Sequence, residues 1–451
     1  MKIKIKNNIE SIWEKFLYIS VKVPNYLILF TFFSNILLFC IFGNYILNNG
    51  KNINKIIYHF INYPNAVKQV IKGLINKEMI YPNVVVDNFS ELDGFKKNGN
   101  LQEHAIQDSG YLLLSSFSQK NYLSEVSLID ISVNASIHKW QPDIENLVDK
   151  KSDKYRYRLV HPLLFDNGDI AYSNTDDDLI RIDINSNIIW TVEGQFHHSK
   201  EFDSDGNIWT CGIVNGDDKL DYFSKKFNFR DDAIVKVSST GKVIFKKSVA
   251  SLLYENGFES ILTMSFGKDP IHLNDVQPAL KDSDYWEKGD LLLSIRNRNL
   301  VVLYRPKTNK VIWYKIGPWQ NQHDVDFVSE KEITVYGNDI IIYNNDHTTN
   351  NNFDSNRGWN TVYYYSFESN SITKNFDKVF KENKINTPYQ GLSKTIKNKY
   401  LFVEETQNGR LLKLSKNSVL WEFVNRKNED YNYVVNWSRY IEKNEIPSIF
   451  K

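Results

Sequence analysis

Cysteine is scarce in this chain, which contains only Cys40 and Cys211 among its 451 residues. Cys40 lies within an apolar run and Cys211 within a predicted strand, so we do not expect a structural disulfide between them. The scarcity excludes a small fold that depends on a disulfide framework, but it leaves the redox compartment open.

An excess of charge of one sign is also lacking. The 55 lysines and arginines nearly cancel the 54 aspartates and glutamates, for a formal net charge of +1. This balance gives no electrostatic basis for binding nucleic acid, so we expect no nucleic-acid partner. The sequence likewise lacks a glycine-rich phosphate loop, which argues against a nucleotide donor bound in that way.

The N-terminal region contains a long stretch without charge, from Val23 to Gly50. A helix needs about 20 apolar residues to cross a bilayer, and this stretch provides them. A cleaved signal peptide is the alternative. It would have a shorter apolar region followed by a cleavage site of small residues, and Ile46–Lys51 does not have that pattern. We therefore predict a cytoplasmic tail at residues 1–22 and an uncleaved transmembrane anchor at 23–50.

Orientation follows from the lysines that flank this stretch. Five lysines precede the stretch and three follow it within about 20 residues: Lys2, Lys4, Lys6, Lys15 and Lys22, then Lys51, Lys55 and Lys68. Membrane proteins tend to keep the more positively charged flank in the cytoplasm, and that bias is counted over this range. The bias favours a single-pass protein with a cytoplasmic N-terminus and a C-terminal body on the external side of the membrane.

The pattern changes twice after the anchor. Residues 51–80 have helical spacing broken at Tyr63-Pro64-Asn65, which predicts a short helical stalk. From Tyr81 onward apolar residues alternate, and nothing reads as a long amphipathic helix. The 26 Tyr, 27 Phe and 10 Trp suit an all-β body.

That body contains a repeat of one antiparallel motif: an alternating strand, a polar turn, and a second strand ending in an aromatic residue. Six copies end at Trp140, Trp190, Phe245, Trp313, Phe376 and Trp421. Blades of propellers recur at about 40 to 50 residues, with insertions. We predict a six-bladed β-propeller over residues 81–445, with seven blades as the fallback. The alternative to a propeller is a set of unrelated hairpins in two sandwich domains. The aromatic residue that recurs at the end of each copy argues against it.

Four histidines open predicted blades: His161, His198, His272 and His323. The interval from His198 to Ile208 equals that from His323 to Ile333, so these two occupy matching places. Matching places in different blades lie at matching depths around a propeller axis. We therefore expect the four imidazoles to converge at one end of the channel.

An arginine belongs near the last of these histidines. Gly289–Asn297 alternates like a strand and carries Arg296 partway along it, while His323 follows a Gly-Pro turn where another strand begins. We expect Arg296 and His323 to face each other from neighbouring sheets.

The residues alone leave three chemistries open. One is a metal site, for which Asp275 and Asp324 are available as carboxylate ligands. Another is a nucleophilic histidine, with Arg296 and other histidines holding an anionic group. The last is a propeller that binds a partner without catalysis.

Several motifs together resemble the bacterial arylsulfotransferase family over roughly residues 155 to 345. They are His197-His198, His272-x-Asn274-Asp275, Ser294–Asn297, Val311–Trp313 and Gln322–Asp324. The resemblance implies a six-bladed propeller that moves a sulfuryl group from an aryl sulfate ester to a phenolic acceptor. It implies neither a nucleotide donor nor a cofactor.

The resemblance also implies roles for single residues. His323 is the nucleophile that forms a sulfohistidine, and His198, His272 and Arg296 bind sulfuryl oxygens or serve the leaving phenol. The expected substrate-binding residues are His197, Asn274, Asp324 and Trp319, and no metal ligand is expected. We further expect Asp324 or a backbone carbonyl to hold the second ring nitrogen of His323. The alternatives are a membrane-anchored propeller that binds a glycan or protein partner, or a metal-dependent propeller enzyme.

Overall fold

The computed structural model describes residues 83–147, 154–214, 229–264, 267–343, 352–355 and 357–451, with residues 30, 31, 34, 35 and 38 near the N-terminus. The chain divides into two compact bodies, residues 1–82 and 83–451. The predicted anchor falls almost entirely outside the described residues, and the predicted stalk falls wholly outside them. Among the helices that are described, none has the length and apolar composition needed to cross a membrane.

Short strands precede the main part of the second body: β1 (Val84–Val86), β2 (Leu92–Asp93), β3 (Lys96–Lys97) and β4 (Asn100–Leu101). From residue 111 onward the chain forms six antiparallel units of four strands each, numbered here from 1 to 6. The strands of units 1 to 3 are, in chain order, β5 (Tyr111–Phe117), β6 (Ser124–Asp130), β7 (Ala135–Trp140), β8 (Val160–Leu164), β9 (Ile170–Ser173), β10 (Asp177–Ile182), β11 (Ile188–Phe202), β12 (Ile208–Ile213), β13 (Asp232–Val237) and β14 (Val243–Ser248).

Units 4 to 6 occupy the rest of the chain. Their strands, with one inserted hairpin (β21 and β22) and a strand that pairs with β1 (β29), are β15 (Leu273–Pro278), β16 (Leu291–Ile295), β17 (Leu300–Arg305), β18 (Lys310–Ile316), β19 (Val325–Phe327), β20 (Glu332–Gly337), β21 (Ile340–Tyr343), β22 (Asn352–Ser355), β23 (Thr361–Ser366), β24 (Ser371–Thr373), β25 (Leu392–Ile396), β26 (Tyr400–Glu405), β27 (Arg410–Leu414), β28 (Val419–Val424) and β29 (Tyr431–Tyr433). The last strand of the chain, β30 (Arg439–Ile441), belongs to unit 1.

Two strands connect units in ways that the sequence did not predict. The long strand β11 pairs with β10 through its first half and with β12 through its second, so it is the last strand of unit 2 and the first of unit 3. At the other end of the chain, β30 pairs with β5, with Arg439 opposite Leu113. Unit 1 therefore combines a C-terminal strand with three N-terminal ones, β5 to β7.

A hydrophobic cluster joins each unit to the next. The clusters join units 1 and 2, 2 and 3, 3 and 4, 4 and 5, 5 and 6, and finally 6 and 1. Middle strands are therefore covered on both faces, as the fully buried run Leu291–Ile295 shows. The outer strand β18 instead alternates between exposed and half-buried residues. This cyclic succession of sheets confirms the all-β prediction and is the packing of a β-propeller.

The recurrent aromatic residues join neighbouring units. The indole nitrogen of Trp140 donates to the Gly168 carbonyl oxygen of unit 2, at 3.1 Å. Similarly, Trp313 of unit 4 donates to the Tyr365 hydroxyl of unit 5, at 3.2 Å. Five of the six predicted aromatics lie in outer strands, and Phe376 lies three residues after β24. The aromatic residues that recur in the sequence are thus positions at which one unit contacts the next.

Helices are short and lie between strands: α1 (Glu103–Ile106), α2 (Ile144–Leu147), α3 (Val249–Glu255), α4 (Glu259–Thr263) and α5 (Asp377–Glu382). α3 begins where the Ser248 hydroxyl accepts the Ser251 amide, an ordinary N-cap. The expectation of no long helix after residue 81 holds throughout the described part.

Candidate active site

Three of the four strand-opening histidines lie together. The ring centroid of His198 is 5.4 Å from that of His272 and 5.9 Å from that of His323. His198 lies within β11, the first strand of unit 3, and His272 and His323 lie just before β15 and β19, the first strands of units 4 and 5. The units therefore bring together side chains that are far apart in the sequence. The structure also settles which of the paired histidines belongs here: His198 contacts the other two, and His197 lies behind it.

Irregular backbone places these side chains. The pairing of β11 with β12 shifts register between His197 and Lys200, and that of β15 with β16 shifts between Leu273 and Asp275. Such bulges redirect a side chain that a regular strand would place elsewhere. His198 also has a φ of 49°, in the left-handed region that is costly for a histidine. Strain of this kind concentrates at functional sites.

His323 is held through both ring nitrogens. Its Nε2 accepts the backbone N–H of Gln390 at 3.1 Å, so the ring proton sits on Nδ1, which donates to Asn338 Oδ1 at 2.5 Å. Burial lowers the pKa of His323 well below its ordinary value, and the Arg296 guanidinium lowers it further. His323 is therefore neutral near pH 7, as a nucleophile must be.

This geometry corrects one expectation. Asp324 was expected, with a backbone carbonyl as the alternative, to hold the second ring nitrogen of His323, but the Asn338 side chain does so. Asp324 points elsewhere: its Oδ2 accepts the Ser393 amide at 2.8 Å and so joins unit 5 to unit 6.

His198 belongs to a chain of polar groups that ends at a buried carboxylate. His197 Nε2 lies 3.4 Å from Asp232 Oδ1, and the Nδ1 atoms of His197 and His198 are 2.7 Å apart. If Nε2 of His197 donates to Asp232, its Nδ1 accepts the proton of His198 Nδ1, which directs the His198 Nε2 lone pair away from the chain. Burial and the neighbouring histidines lower the pKa of His198 well below its ordinary value.

Asp232 anchors this chain of groups. Its burial opposes ionisation, but the His197 imidazole and the Arg230 guanidinium outweigh that effect and lower its pKa to about 2. The permanent negative charge fixes the orientation of His197, as carboxylates do behind catalytic histidines.

His272 forms a second pair with a carboxylate. Its Nδ1 is in a short hydrogen bond with Asp269 Oδ2, and its side chain is 25% exposed, whereas His323 is 2% exposed. The Asp269 carboxylate orients the ring with Nε2 away from it. His272 and His198 are both partly exposed, unlike the buried His323, so His272 can exchange a proton with a substrate.

Arg296 lies in a 3-10 turn, Arg296–Arg298, immediately after β16. The prediction that it stands partway along a strand was wrong, because β16 ends at Ile295. Arg296 is 8% exposed, and its Nη1 donates to Asn297 Oδ1 at 2.9 Å. Across the described residues its Nε has no partner, and no carboxylate lies within 4.0 Å of it. Buried charges in proteins are normally paired, so this cation is suited to receive an anion.

The remaining predicted binding residues fall in different places. Asn274 is fully buried; its Nδ2 donates to the Gln322 carbonyl oxygen at 2.9 Å, and its Oδ1 has no partner among the described groups. Trp319 is also fully buried, in the cluster between units 4 and 5, and its indole N–H donates to the Asn299 carbonyl oxygen. That environment gives Trp319 a packing role.

His161 does not join the other three. Its Nδ1 accepts the Lys200 amide at 3.0 Å, and its Nε2 is 3.6 Å from Glu201. It lines a separate cavity of about 520 Å³ that also contains Glu201, Asp324, Asp326 and Arg439. The expected convergence of four histidines is therefore a convergence of three. Among the described residues no group of His, Cys, Asp and Glu has the arrangement of a metal site.

Sequence reasoning missed the residues that orient the histidines. Asn338, Asp232, Asp269 and the backbone of Gln390 carry no periodic signal, and each lies many residues from the imidazole it holds, except Asp269. Asp269, three residues before His272, was the one that local spacing could have suggested.

Three clustered imidazoles and a buried guanidinium whose Nε has no partner among the described residues thus lie near one another on an all-β body. The arylsulfotransferase (ASST) family model matches residues 161–426, more than half of the chain. The chain belongs to the arylsulfotransferase family, which indicates a transferase.

Other comparisons show distant likeness. No curated protein matches the chain. A protein of unknown function from Bacteroides caccae is 11% identical, with a TM-score of 0.45 over 74% of this chain and 99% of that one. Hydrazine synthase of Kuenenia stuttgartiensis is 11% identical, with a TM-score of 0.39 over 68% and 76%. The Dos1 propeller is 8% identical, with a TM-score of 0.38 over 75% and 74%.

Proposed function

We propose that this protein transfers a sulfuryl group from an aryl sulfate ester to a phenolic acceptor, through a sulfohistidine and without a nucleotide donor. The observation that carries the proposal is Arg296, a buried cation whose Nε has no partner in the described structure and whose charge helps to keep His323 neutral. A guanidinium presents a planar fork of donors to a tetrahedral oxyanion. The six units are the blades of a six-bladed propeller, whose first strands carry the site.

In the first half-reaction, His323 Nε2 attacks sulfur and the bond from sulfur to the aryl oxygen breaks. The Nε2 lone pair is occupied by the Gln390 N–H in the free protein, so attack requires that this amide move aside. Once displaced, the same N–H is available to a sulfuryl oxygen. Preorganised donors of this type commonly supply the largest share of catalysis.

The leaving phenolate needs a proton, and His272 is placed to give it. Its Nδ1 is committed to Asp269, so a proton on Nε2 can pass to the phenolate oxygen while the Asp269 carboxylate offsets the positive charge. His198, backed by His197 and Asp232, presents its own Nε2 to the same space. In the tautomer derived above, that Nε2 carries a lone pair and cannot donate to a sulfuryl oxygen, so we assign His198 to the phenol, where it is the second imidazole able to carry the proton.

In the second half-reaction, the acceptor phenol attacks the sulfur of sulfohistidine. His272 Nε2 takes the phenolic proton, the bond from nitrogen to sulfur breaks, and neutral His323 is restored. The two half-reactions share one covalent intermediate, so the kinetics are ping-pong. We further propose that the N-terminal apolar stretch anchors this body to the bacterial inner membrane, on its periplasmic or extracellular side, with the N-terminus in the cytoplasm.

The test is turnover of p-nitrophenyl sulfate with phenol as acceptor, with and without a metal chelator. We expect turnover that the chelator leaves unchanged. Brief exposure to the donor without acceptor should add one sulfuryl mass to the peptide that contains His323, provided that digestion is kept neutral or alkaline. His323→Asn should abolish both half-reactions, and His104→Asn, an exposed histidine in α1, is the matched control.

Two outcomes would count against the proposal. A sulfuryl mass on the peptide of another histidine would reassign the nucleophile. Undiminished turnover by His323→Asn would remove the covalent mechanism altogether.

A further inference from the structure

Trp437 lies beside the histidine cluster but comes from the far end of the chain. Its ring centroid is 5.8 Å from that of His198 and 6.2 Å from that of His323, and on another side it is 5.0 Å from that of His161. It precedes β30, the strand that completes unit 1. The residue falls outside the part of the chain that matches the family model, 161–426.

The indole N–H of Trp437 is a buried donor without an acceptor. The residue is 1% exposed, and its Nε1 has no hydrogen-bond partner within the described part of the chain. Other buried tryptophans do have one: Trp421 donates to Asp108 Oδ2 at 2.7 Å, and Trp140 donates to a carbonyl oxygen. Because an unpaired buried donor is costly, it calls for an explanation, and a missing ligand is one.

The backbone of Trp437 is held in a costly conformation. Its φ is 60°, in the left-handed region, which is a genuine outlier for a bulky residue. Glu404, which is fully buried, fixes it there: Oε1 accepts the Trp437 amide at 2.9 Å and Oε2 accepts the Ser438 amide at 2.5 Å. A strained residue clamped by a buried carboxylate is a preorganised one, and such residues gather at ligand sites.

We propose that Trp437 is a substrate-binding residue whose indole N–H donates a hydrogen bond to an oxygen of the bound sulfuryl group. The inference rests on the proposed function, because that group is the acceptor the N–H lacks. The ring already packs against three imidazoles at interplanar angles of 67° to 81°, so the N–H is its one uncommitted group. The indole N–H is a neutral donor. It can therefore bind a sulfuryl oxygen without adding a positive charge beside His323, whereas the charge of Arg296 lowers the pKa of His323.

The location has a structural consequence. Trp437 reaches the site only because β30 pairs with β5, so the C-terminal strand that closes the ring of units also completes the binding site. Arg296 and the three histidines come from units 3 to 5, and Trp437 approaches them from unit 1.

The experiment compares Trp437→Phe with Trp421→Phe. Phenylalanine keeps an aromatic ring at either position and removes only the N–H and the second ring. Three quantities are measured for the full-length protein: the dissociation constant of inorganic sulfate by calorimetry, kcat/KM for p-nitrophenyl sulfate, and the melting temperature.

For Trp437→Phe we expect sulfate affinity to fall about 10-fold, because one hydrogen bond to an anion is lost, and kcat/KM to fall about 10- to 100-fold. Its melting temperature should fall less than that of Trp421→Phe, since both variants lose the same buried ring volume but no hydrogen bond of Trp437 is lost in the free protein. Trp421→Phe should show the opposite: a lower melting temperature, because the bond to Asp108 is broken, with sulfate affinity unchanged.

The outcomes separate this inference from the proposed function. Unchanged sulfate affinity in Trp437→Phe overturns the inference even if the wild type turns over aryl sulfates. If the wild type binds sulfate without turnover, the proposed function fails, and the affinity of Trp437→Phe still decides the role of Trp437. A wild type that neither binds sulfate nor turns over aryl sulfates removes both.

Discussion

His323 Nδ1 donates to Asn338 Oδ1 at 2.5 Å within unit 5, because His323 lies just before β19 and Asn338 directly follows the neighbouring strand β20. Asn338 is itself fixed, because its Nδ2 donates to the carbonyl oxygens of Thr387 and Gln390. The amide therefore cannot rotate to offer a donor to the imidazole. It sets the His323 tautomer in which Nε2 carries the lone pair.

We predict that Asn338→Leu lowers kcat/KM for p-nitrophenyl sulfate about 10- to 100-fold, because the ring loses the acceptor that orients it. Asn338→Asp keeps an acceptor but adds a negative charge, which favours protonated His323, so its activity should fall off at a higher pH than that of the wild type. The pH dependence of kcat/KM for both variants is the measurement. Wild-type rates in Asn338→Leu would show that Asn338 does not control the tautomer.

Replacing Arg296 with lysine should damage transfer far more than folding. Lysine keeps the charge but loses the planar fork of donors, so we expect a loss of about 100-fold in kcat/KM with little change in melting temperature. The matched control is Arg298→Lys in the same turn, since Arg298 Nη2 donates to the Leu262 carbonyl oxygen. An unchanged rate in Arg296→Lys would remove Arg296 from the site.

The periodic part of the sequence predicted much of this. The aromatic residues at the ends of the repeats marked the unit contacts, and the matching positions of His198 and His323 placed them together in space. The spacing of the repeats predicts these contacts because each repeat packs against the next one in the same way.

The rest could not be read from periodicity. His161 was grouped with the other histidines because it also opens a strand, but its ring lies on the far side of Trp437 and reaches Glu201. Trp437 gave no signal because it lies between β29 and β30, outside the repeated motif. Arg296 was assigned to a strand, whereas the strand ends one residue earlier.

The second compact body should fold without the first. Deleting residues 1–82 removes the first body whole and leaves residues 83–451, which contain all six units. We expect a soluble product with a β-rich circular dichroism spectrum and the same kcat/KM as the full-length protein. Persistent insolubility or a helical spectrum would show that this division is wrong.

The acid limb of the pH profile should lie below the ordinary histidine range. His323 reacts when neutral, that is, above its pKa, and burial together with Arg296 lowers that pKa well below 6.5. Activity should therefore persist as the pH falls past 6.5 and decline only at lower pH. Arg296→Gln removes one of the causes, so the limb should move to higher pH.

A control is needed because acid also destabilises the fold. His161, His198 and His323 have lowered pKa values, so the unfolded chain binds more protons below about pH 6.5 and stability decreases as the pH falls. Circular dichroism at each pH separates unfolding from protonation of the nucleophile. A wild-type limb at or above pH 6.5 in folded protein would contradict the environment assigned to His323.

The role of His272 can be separated from binding by changing the leaving group. Phenolate is a poor leaving group that needs a proton as the bond to sulfur breaks, whereas p-nitrophenolate leaves readily without one. If His272 Nε2 donates that proton, His272→Gln should lower kcat/KM about 100-fold for phenyl sulfate and much less for p-nitrophenyl sulfate. Asp269→Asn should act in the same direction but more weakly, because Asp269 only orients the ring. Equal losses for both donors would mean that His272 binds the sulfuryl group and transfers no proton, and the acid would then have to be His198, whose Nε2 is the other imidazole nitrogen directed away from a carboxylate partner.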